Sequence, residues 1–201
     1  MSRKEGKLLY HLTALDNLES IIKNGLMSRN NIKQFSFIDI ADPEIIGKRN
    51  LKLALNDYVP FHFYMGTPFD GRVFLDNNNN GVKKKFIYLC VWRSYAKDNN
   101  WKIIPSHPLN EDNTQICDYE DGFSKIDWSI IDKDPMPNYL DNHEKEVCMA
   151  ECDSPVTVSI NSIVFIKSPD EETKKQVENI LKKYNLNINV DVTHFSRKYY
   201  D

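Results

Sequence analysis

Residues 86–92 have the sequence Phe86-Ile87-Tyr88-Leu89-Cys90-Val91-Trp92. This nearly continuous apolar run contains neither glycine nor proline, which is typical of a strand buried on both faces inside a sheet. A second strand is predicted at Leu8-Leu9-Tyr10-His11-Leu12-Thr13. A helix should follow it directly, because Leu18, Ile21, Ile22 and Leu26 recur at helical spacing. The sequence therefore predicts a sheet with helices packed against it.

Local signals mark where the helices begin and end. Asp16 and Glu19 have the spacing of a capping box for the first helix, and Gly25 stands where a left-handed residue stops a helix. Residues 168–171, Ser-Pro-Asp-Glu, form a second capping box ahead of a helix that buries Val177 and Leu181. Residues 186–192 then alternate at period two, which predicts a terminal strand with one buried face.

The middle of the chain is less regular. Residues 58–64 favour a strand, but Pro60 lacks a backbone donor, so a strand start, an edge strand or a bulge is expected. We expect residues 101–104 to be the hairpin partner of residues 86–92. Two more strands are predicted at 156–160 and 162–166, and a helix or a strand at 144–152. Residues 105–139 contain five Pro or Gly, which predicts a long functional loop with a helical insert.

Composition limits the class of protein. The 201 residues, 41% of them hydrophobic, suit one α+β domain over 1–201 and exclude a disordered chain. The net charge of -3 means that any nucleic-acid binding must come from a local patch. The four cysteines form no disulfide framework, and no segment has the apolar length of a signal peptide or a membrane span. We expect a cytoplasmic protein with reduced thiols and no membrane contact.

General catalytic motifs are absent: there is no glycine-rich phosphate loop, nucleophile elbow, tandem CxxC or HExxH. His143, Cys148 and Cys152 could share one side of a helix, but they lack a fourth ligand, so no metal is predicted. Glu151 interrupts an otherwise core-like segment, and Arg49 follows Lys48 in a loop. From residue type alone, both are more readily explained as solvated charges than as catalytic groups.

Several motifs together resemble one family, the DarT DNA ADP-ribosyltransferase toxins. The first third of the chain carries the strongest likeness, in Tyr10-His11-Leu12-Thr13, Asp16-Asn17-Leu18, Ile21-Ile22, Gly25-Leu26 and Asp57-Tyr58-Val59-Pro60-Phe61-His62-Phe63, the last similar to the family's DYVPFYF. Weaker likenesses are Glu44-Ile45, Lys48-Arg49, Pro105-Ser106-His107, Asp127-Trp128, Met149-Ala150-Glu151 and Tyr199-Tyr200.

The resemblance implies an ADP-ribosyltransferase-like central β-sheet core flanked by helices, with a long substrate loop. It implies transfer of ADP-ribose from NAD+ to thymidine in single-stranded DNA, without a metal, and a separate macrodomain antitoxin. Glu151 would stabilise the positive charge that develops on the ribose. His11, Thr13 and Asn17 would bind NAD+. Arg49 would either hold the pyrophosphate or help deprotonate or orient the acceptor base, and His107 would stabilise the same loop or the acceptor site.

Three alternatives remain open at this stage. Glu146, in Glu144-Lys145-Glu146, is a rival catalytic acid only five residues before Glu151. The acceptor could be RNA or protein, because Met149 replaces a glutamine of the family pattern. The chain could also bind nucleotides or nucleic acid without turnover. The candidate contacts for single-stranded DNA are the cations Arg72, Lys83, Lys84, Lys85 and Arg93 and the rings of Trp92, Trp101 and Tyr119.

Overall fold

A computed structural model of the chain describes residues 2–40, 47, 54–79, 84–108, 115–134 and 137–193. Eight strands lie within these ranges: β1 (Leu8–Ala14), β2 (Val59–His62), β3 (Phe86–Trp92), β4 (Lys102–Ile104), β5 (Cys117–Asp118), β6 (Glu151–Ser154), β7 (Phe165–Ser168) and β8 (Asn189–Val192). They form one sheet in the order β5-β4-β6-β2-β1-β3-β7-β8. All neighbours are antiparallel except β7 and β8, which are parallel.

Helices flank the sheet, so the predicted α+β fold is confirmed. They are α1 (Leu18–Asn24), α2 (Arg29–Ile32), α3 (Pro68–Asn79), α4 (Arg93–Asp98), α5 (Tyr119–Lys125), α6 (Trp128–Ile131), α7 (Asn142–Val147) and α8 (Glu171–Lys183). Short 3-10 turns occupy Leu15–Asn17, Leu55–Asp57 and Ile160–Ser162. In the part of the chain that the structure describes, no helix combines the length and apolar character needed to cross a membrane.

The apolar run at 86–92 is an interior strand, as its composition predicts. Seven aligned pairs join β3 to β1, from Leu8 opposite Trp92 to Ala14 opposite Phe86. Residues 86–91 are all buried, which requires cover on both faces of the sheet. One face carries the larger cluster, with Leu9, Ile87 and Leu89, and the other carries Leu12, Phe86 and Tyr88 beneath Val73 of α3. The sheet therefore separates two apolar layers.

Two strand predictions are wrong. Residues 101–104 do not form a hairpin with β3, because helix α4 intervenes and both edges of β3 are taken by β1 and β7. Strand β4 pairs instead with β5 and β6. Residues 156–160 make only an isolated bridge, Leu26 with Val158. Residues 144–152 combine both predicted options, since α7 ends at Val147 and β6 begins at Glu151.

The helix ends also differ in detail from the sequence patterns. A 3-10 turn precedes α1, and the Glu19 carboxylate accepts from Tyr184 Oη at 2.7 Å and Lys183 Nζ at 3.0 Å instead of capping its own helix. Helix α8 is capped by Asp170, whose carboxylate accepts from the Thr173 N–H at 2.7 Å. This interaction places the cap two residues beyond Ser168, so the predicted start of the helix is early.

Gly25 ends α1, as predicted, but not in the left-handed helical conformation. Its φ of 81° and ψ of 167° belong to a region that is essentially restricted to glycine. This conformation directs the chain into the bridge between Leu26 and Val158. A Cβ atom at position 25 would lie 2.5 Å from Thr157 Cγ2 and 3.1 Å from the Val158 carbonyl oxygen. Both the backbone angles and the available space therefore require glycine here.

Candidate active site

Strands β1 and β2 separate almost as soon as they meet. They share one aligned pair, Tyr10 opposite His62, whereas β1 and β3 remain paired along the whole of β1. Pro60 lies where the two strands diverge, so its missing N–H costs no ladder hydrogen bond. The Pro60 carbonyl accepts a hydrogen bond from Nδ1 of the His11 side chain at 2.8 Å. At this point a side chain of β1, and not its backbone, contacts β2. The sheet is therefore split beside a histidine that the sequence singles out.

A cleft lies at this split, with a space of about 1170 Å³ that includes the open solvent at its mouth. Its wall includes residues from β1, α1, α2, β2 and the first residue of β6. The segment 33–40, called the wall segment below, contributes half-buried apolar side chains. The polar residues of the wall include His11, Thr13, Asn17, Arg29, Asp39, His62 and Glu151, and the apolar ones include Phe35, Phe37, Ile38 and Phe69. Four of the predicted site residues, His11, Thr13, Asn17 and Glu151, thus share one cleft.

His11 is a neutral imidazole at physiological pH. Burial lowers its pKa from 6.5 to about 4, and this effect outweighs the opposing hydrogen bond to Pro60. A carbonyl oxygen only accepts, so the single proton of neutral His11 lies on Nδ1 and leaves Nε2 as an acceptor. The ring also packs on Phe61, with centroids 5.4 Å apart. The side chain is thereby fixed as a hydrogen-bond acceptor, which suits a hydroxyl group of a ligand.

Asn17 connects β1 to the wall segment. Its Nδ2 donates to Thr13 Oγ1 at 3.2 Å and to the Ile38 carbonyl at 2.9 Å. Its Oδ1 accepts from the Ile38 N–H at 2.8 Å. Both amide hydrogens are therefore in use within the protein. The geometry gives Asn17 a role in holding the wall segment against the cleft, besides its place in the cleft wall.

Glu151 lies in a row of side chains that crosses four strands. It is aligned with His62 of β2 on one side and with Ile104 of β4 on the other, and His62 is aligned with Tyr10 of β1. Glu151 and His62 are 2% and 7% exposed. The Nδ1 atom of His62 donates to the carbonyl of Ala150 at 3.2 Å. Sheet register on both sides thus places a buried carboxylate at the cleft.

The rival acids have different surroundings. Glu146 is on α7 and does not line the cleft. Glu144 pairs with Lys133 and accepts from the Asn138 N–H at 2.7 Å, and these partners lower the pKa of its carboxyl group. His107 follows β4, and its N–H donates to the Glu146 carbonyl at 2.8 Å. His107 also does not line the cleft, so the structure separates it from the other predicted site residues.

Several residues of the resemblance lie outside the described ranges. They are Glu44, Ile45, Lys48, Arg49, Tyr199 and Tyr200. The role of Arg49 therefore stays a prediction from the sequence. Lys83, a candidate DNA contact, also lies outside the described residues.

Two of the candidate DNA contacts are wrong. Arg93 is 7% exposed, and its guanidinium donates to the carbonyls of Arg3, Lys4, Leu8 and Phe63 at 2.8–3.1 Å. Trp101 is 1% exposed and packs on Phe61. Both are core residues because the N-terminal segment and β2 cover them. Trp92 remains exposed on the sheet and Arg72 pairs with Asp76 on α3.

The cleft combines a buried carboxylate, a neutral imidazole acceptor and half-buried aromatic rings. A carboxylate can stabilise a sugar that develops positive charge, and the imidazole can accept from a sugar hydroxyl. In the ranges that the structure describes, no group of three or more His, Cys, Asp or Glu is arranged to hold a metal ion. The four cysteines are buried and form no disulfide. This arrangement suits transfer chemistry at a glycosidic bond.

Comparison with known proteins bears on the whole chain. A family model described as "ssDNA thymidine ADP-ribosyltransferase, DarT" matches residues 10–200. The chain belongs to the DarT family. The predicted membership in a family of NAD-dependent ADP-ribosyltransferases is thus confirmed, and the enzyme class follows from it. A comparison with curated proteins finds no match.

Solved DarT structures share the fold. A Thermus sp. 2.9 DarT in complex with ADP-ribosylated ssDNA is 20% identical, with a TM-score of 0.80 over 96% of this chain and 98% of that one. The same Thermus protein in complex with NAD+ has a TM-score of 0.75 at 18% identity, over 94% of this chain and 96% of that one. Thermosipho africanus DarTG in complex with ADP-ribose has a TM-score of 0.76 at 24% identity, over 94% of this chain but 50% of that one.

Sequence reasoning missed two residues of the DarT cleft. His62 is the one position at which the Asp57–Phe63 signature differs from the family pattern. This difference was the available signal, but it does not by itself assign His62 to the site. Arg29 follows Gly25-Leu26 after two residues and begins α2. Its position just beyond a family motif was the available signal. Neither residue could be assigned without knowing that β2 and α2 reach the same cleft.

Proposed function

We propose that this DarT protein transfers ADP-ribose from NAD+ to thymidine in single-stranded DNA at this cleft, with Glu151 as the catalytic carboxylate. The observation that carries the proposal is that Glu151, buried to 98% at the start of β6, shares one cleft wall with His11, Thr13 and Asn17. Those are the residues for which family motifs imply catalysis and NAD+ binding. The structures of Thermus DarT in complex with NAD+ and with ADP-ribosylated ssDNA support the same substrates.

The proposed reaction breaks the bond between ribose C1′ and the nicotinamide nitrogen. Nicotinamide leaves with the electron pair, and a thymine atom forms the new bond to C1′ and gives up its proton. Glu151 would stabilise the positive ribose during this exchange. Nε2 of His11 would accept from a hydroxyl of NAD+, and Thr13 would contact the same nucleotide. The rings of Phe35 and Phe37 give the cleft apolar faces for flat groups.

Glu151 is preferred to Glu146 because a carboxylate must face the reacting sugar to act on it. Glu151 lines the cleft, whereas Glu146 is on α7. Arg49 is proposed to hold the pyrophosphate or to orient the acceptor base, as the resemblance implies. His107 is proposed for the acceptor side, since it follows β4, the strand next to Glu151.

We also propose a cytoplasmic location and an antitoxin with a macrodomain that removes ADP-ribose from DNA. The family resemblance implies this partner. The structure of Thermosipho DarTG in complex with ADP-ribose also supports it, because that chain is about twice as long as the part matched here.

The proposal is tested with NAD+ labelled in its adenylate phosphate. The protein is incubated with a thymidine-containing oligonucleotide as a single strand, as a matched duplex, as the RNA counterpart, and with a protein mixture. We expect label and the mass of ADP-ribose on the single strand, much faster than on the duplex, because unstacking a paired base costs a few kcal/mol. Equal rates on both DNA forms, or label only on RNA or protein, would refute the acceptor. If no acceptor leads to release of nicotinamide, the protein binds nucleotides or nucleic acid without turnover.

A further inference from the structure

The cleft contains a permanent positive charge that none of the roles above uses. Among the described residues of the cleft wall, Arg29 is the one lysine or arginine. It begins α2, and its guanidinium donates to the carboxylate of Asp39 in the wall segment. Both side chains are about one third exposed, at 32% and 35%, so each can be reached from the cleft. An ion pair therefore lies in the wall of the proposed nucleotide site.

This ion pair is not needed to hold the wall segment in place. The backbone of the adjoining residue, Ile38, is already held by two hydrogen bonds to the side-chain amide of Asn17, at 2.8 and 2.9 Å. Ion pairs that remain this exposed contribute little to folding stability. The carboxylate of Asp39 can therefore be exchanged for another anion at small cost.

The guanidinium is also well placed for a nucleotide. Burial is the main cause of the lowered pKa of His11, and the positive charge of Arg29 lowers that pKa further. The two side chains are therefore close to each other. His11 and Arg29 thus belong to one region of the cleft. A planar guanidinium forms paired hydrogen bonds with carboxylate and with phosphate oxygens alike.

We propose that Arg29 is the diphosphate-binding residue of the cleft and that Asp39 holds its guanidinium until the diphosphate replaces the carboxylate. The assignment rests on the proposed function, because the diphosphate is that of NAD+. The proposal gives the two arginines different roles: Arg29 binds the diphosphate, and Arg49 orients the acceptor base. Asp39 then sets the affinity for the nucleotide by competing with it.

Binding of ADP-ribose and of adenosine, measured by titration calorimetry, tests the assignment, because adenosine lacks the diphosphate. In Arg29→Gln we expect ADP-ribose to bind about 10- to 100-fold more weakly, the usual effect of losing a hydrogen bond to a charged group. Adenosine binding should not change. Lys33→Gln is the matched control, since Lys33 is an exposed cation at the start of the wall segment that does not itself line the cleft. Its affinity for ADP-ribose should equal that of the unmodified protein.

Asp39→Asn distinguishes exchange from a merely structural ion pair. If Asp39 competes with the diphosphate, Asp39→Asn binds ADP-ribose several-fold more tightly, and the gain disappears in Arg29→Gln/Asp39→Asn. Weaker binding in Asp39→Asn would mean that the pair only holds the wall segment, and would overturn the proposal. Unchanged ADP-ribose affinity in a folded Arg29→Gln, checked by its Tm, would overturn it as well. If the unmodified protein binds neither NAD+ nor ADP-ribose, the proposed function itself fails.

Discussion

His62 on β2 and Glu151 on β6 are direct cross-strand partners in the central sheet. Because side chains alternate between the two faces of a strand, this register decides which face carries the carboxylate. A shift by one residue would bring Cys152, which is 0% exposed in the core, to the position of Glu151. The position of the carboxylate therefore depends on backbone pairing on both sides of β6.

Glu151→Gln should lower transfer by about 10²-fold or more, the usual cost of removing one preorganised electrostatic group. Glutamine keeps the shape of the side chain, so the fold should survive, which circular dichroism can check. Glu146→Gln is the control, because Glu146 is also a glutamate near β6 but does not line the cleft. Labelled oligonucleotide is measured for both variants. A large loss in Glu146→Gln, with none in Glu151→Gln, would reverse the assignment.

Arg49→Lys should abolish most transfer while Tm hardly changes. Lysine keeps the charge but loses the planar fork that can contact a phosphate or a base edge through two hydrogen bonds. A merely solvated arginine would tolerate the change within about ±0.5 kcal/mol of stability and keep its activity. The test compares the rate of oligonucleotide modification at matched NAD+ concentration. Near-normal transfer by the variant would remove Arg49 from the active site.

Folding stability should depend on pH through His11. Its pKa is about 4 in the folded protein and 6.5 in a free histidine, so the unfolded chain binds the extra proton first as the pH falls. Stability is therefore highest above pH 6.5 and falls progressively down to pH 4, by about 3 kcal/mol in total. Urea unfolding at several pH values measures this. In His11→Asn, that part of the pH dependence should disappear, and an unchanged profile would contradict the assigned pKa.

Gly25→Ala should destabilise the fold by about 2 kcal/mol, which in a chain of this size lowers Tm by roughly 4–8 °C. Alanine at φ 81° is strained, and its Cβ would lie 2.5 Å from Thr157 Cγ2. Gly47→Ala is the matched control, because a Cβ at Gly47 would have none of the described residues within 4 Å. Calorimetric scans of the two variants compare them. Equal Tm values would show that the chain around Gly25 adapts.

The sequence predicts elements whose signal is local. The run at 86–92 and the helical spacing of Val177 and Leu181 depend only on residues close to them, and β3 and α8 form at those positions. The strand partner predicted for residues 101–104 was wrong, because these residues pair with β6, which lies some fifty residues later in the chain. Residues 156–160 are rich in β-branched side chains, as a strand would be, but among the described residues their ladder pairing is limited to the bridge between Leu26 and Val158.

The site was predictable where family motifs mark it. His11, Thr13, Asn17 and Glu151 come from such motifs, and they line one cleft. Residue type alone could not have selected Glu151, because an acid flanked by apolar residues is usually solvated. Arg29 and His62 were missed since their importance depends on which strands and helices meet, which no local pattern records.

The position of β6 between β2 and β4 also bears on how the protein is made. Strands β2 and β4 come earlier in the chain than β6. During synthesis, the edges of β2 and β4 that pair with β6 therefore stay unpaired until residues 151–154 leave the ribosome. Such exposed edges favour aggregation and slow the final step of folding. The same insertion delivers Glu151, the last residue of the four-strand row to be made. A nascent chain therefore lacks the proposed catalytic carboxylate until residue 151 has been added, which is after both strands that flank it.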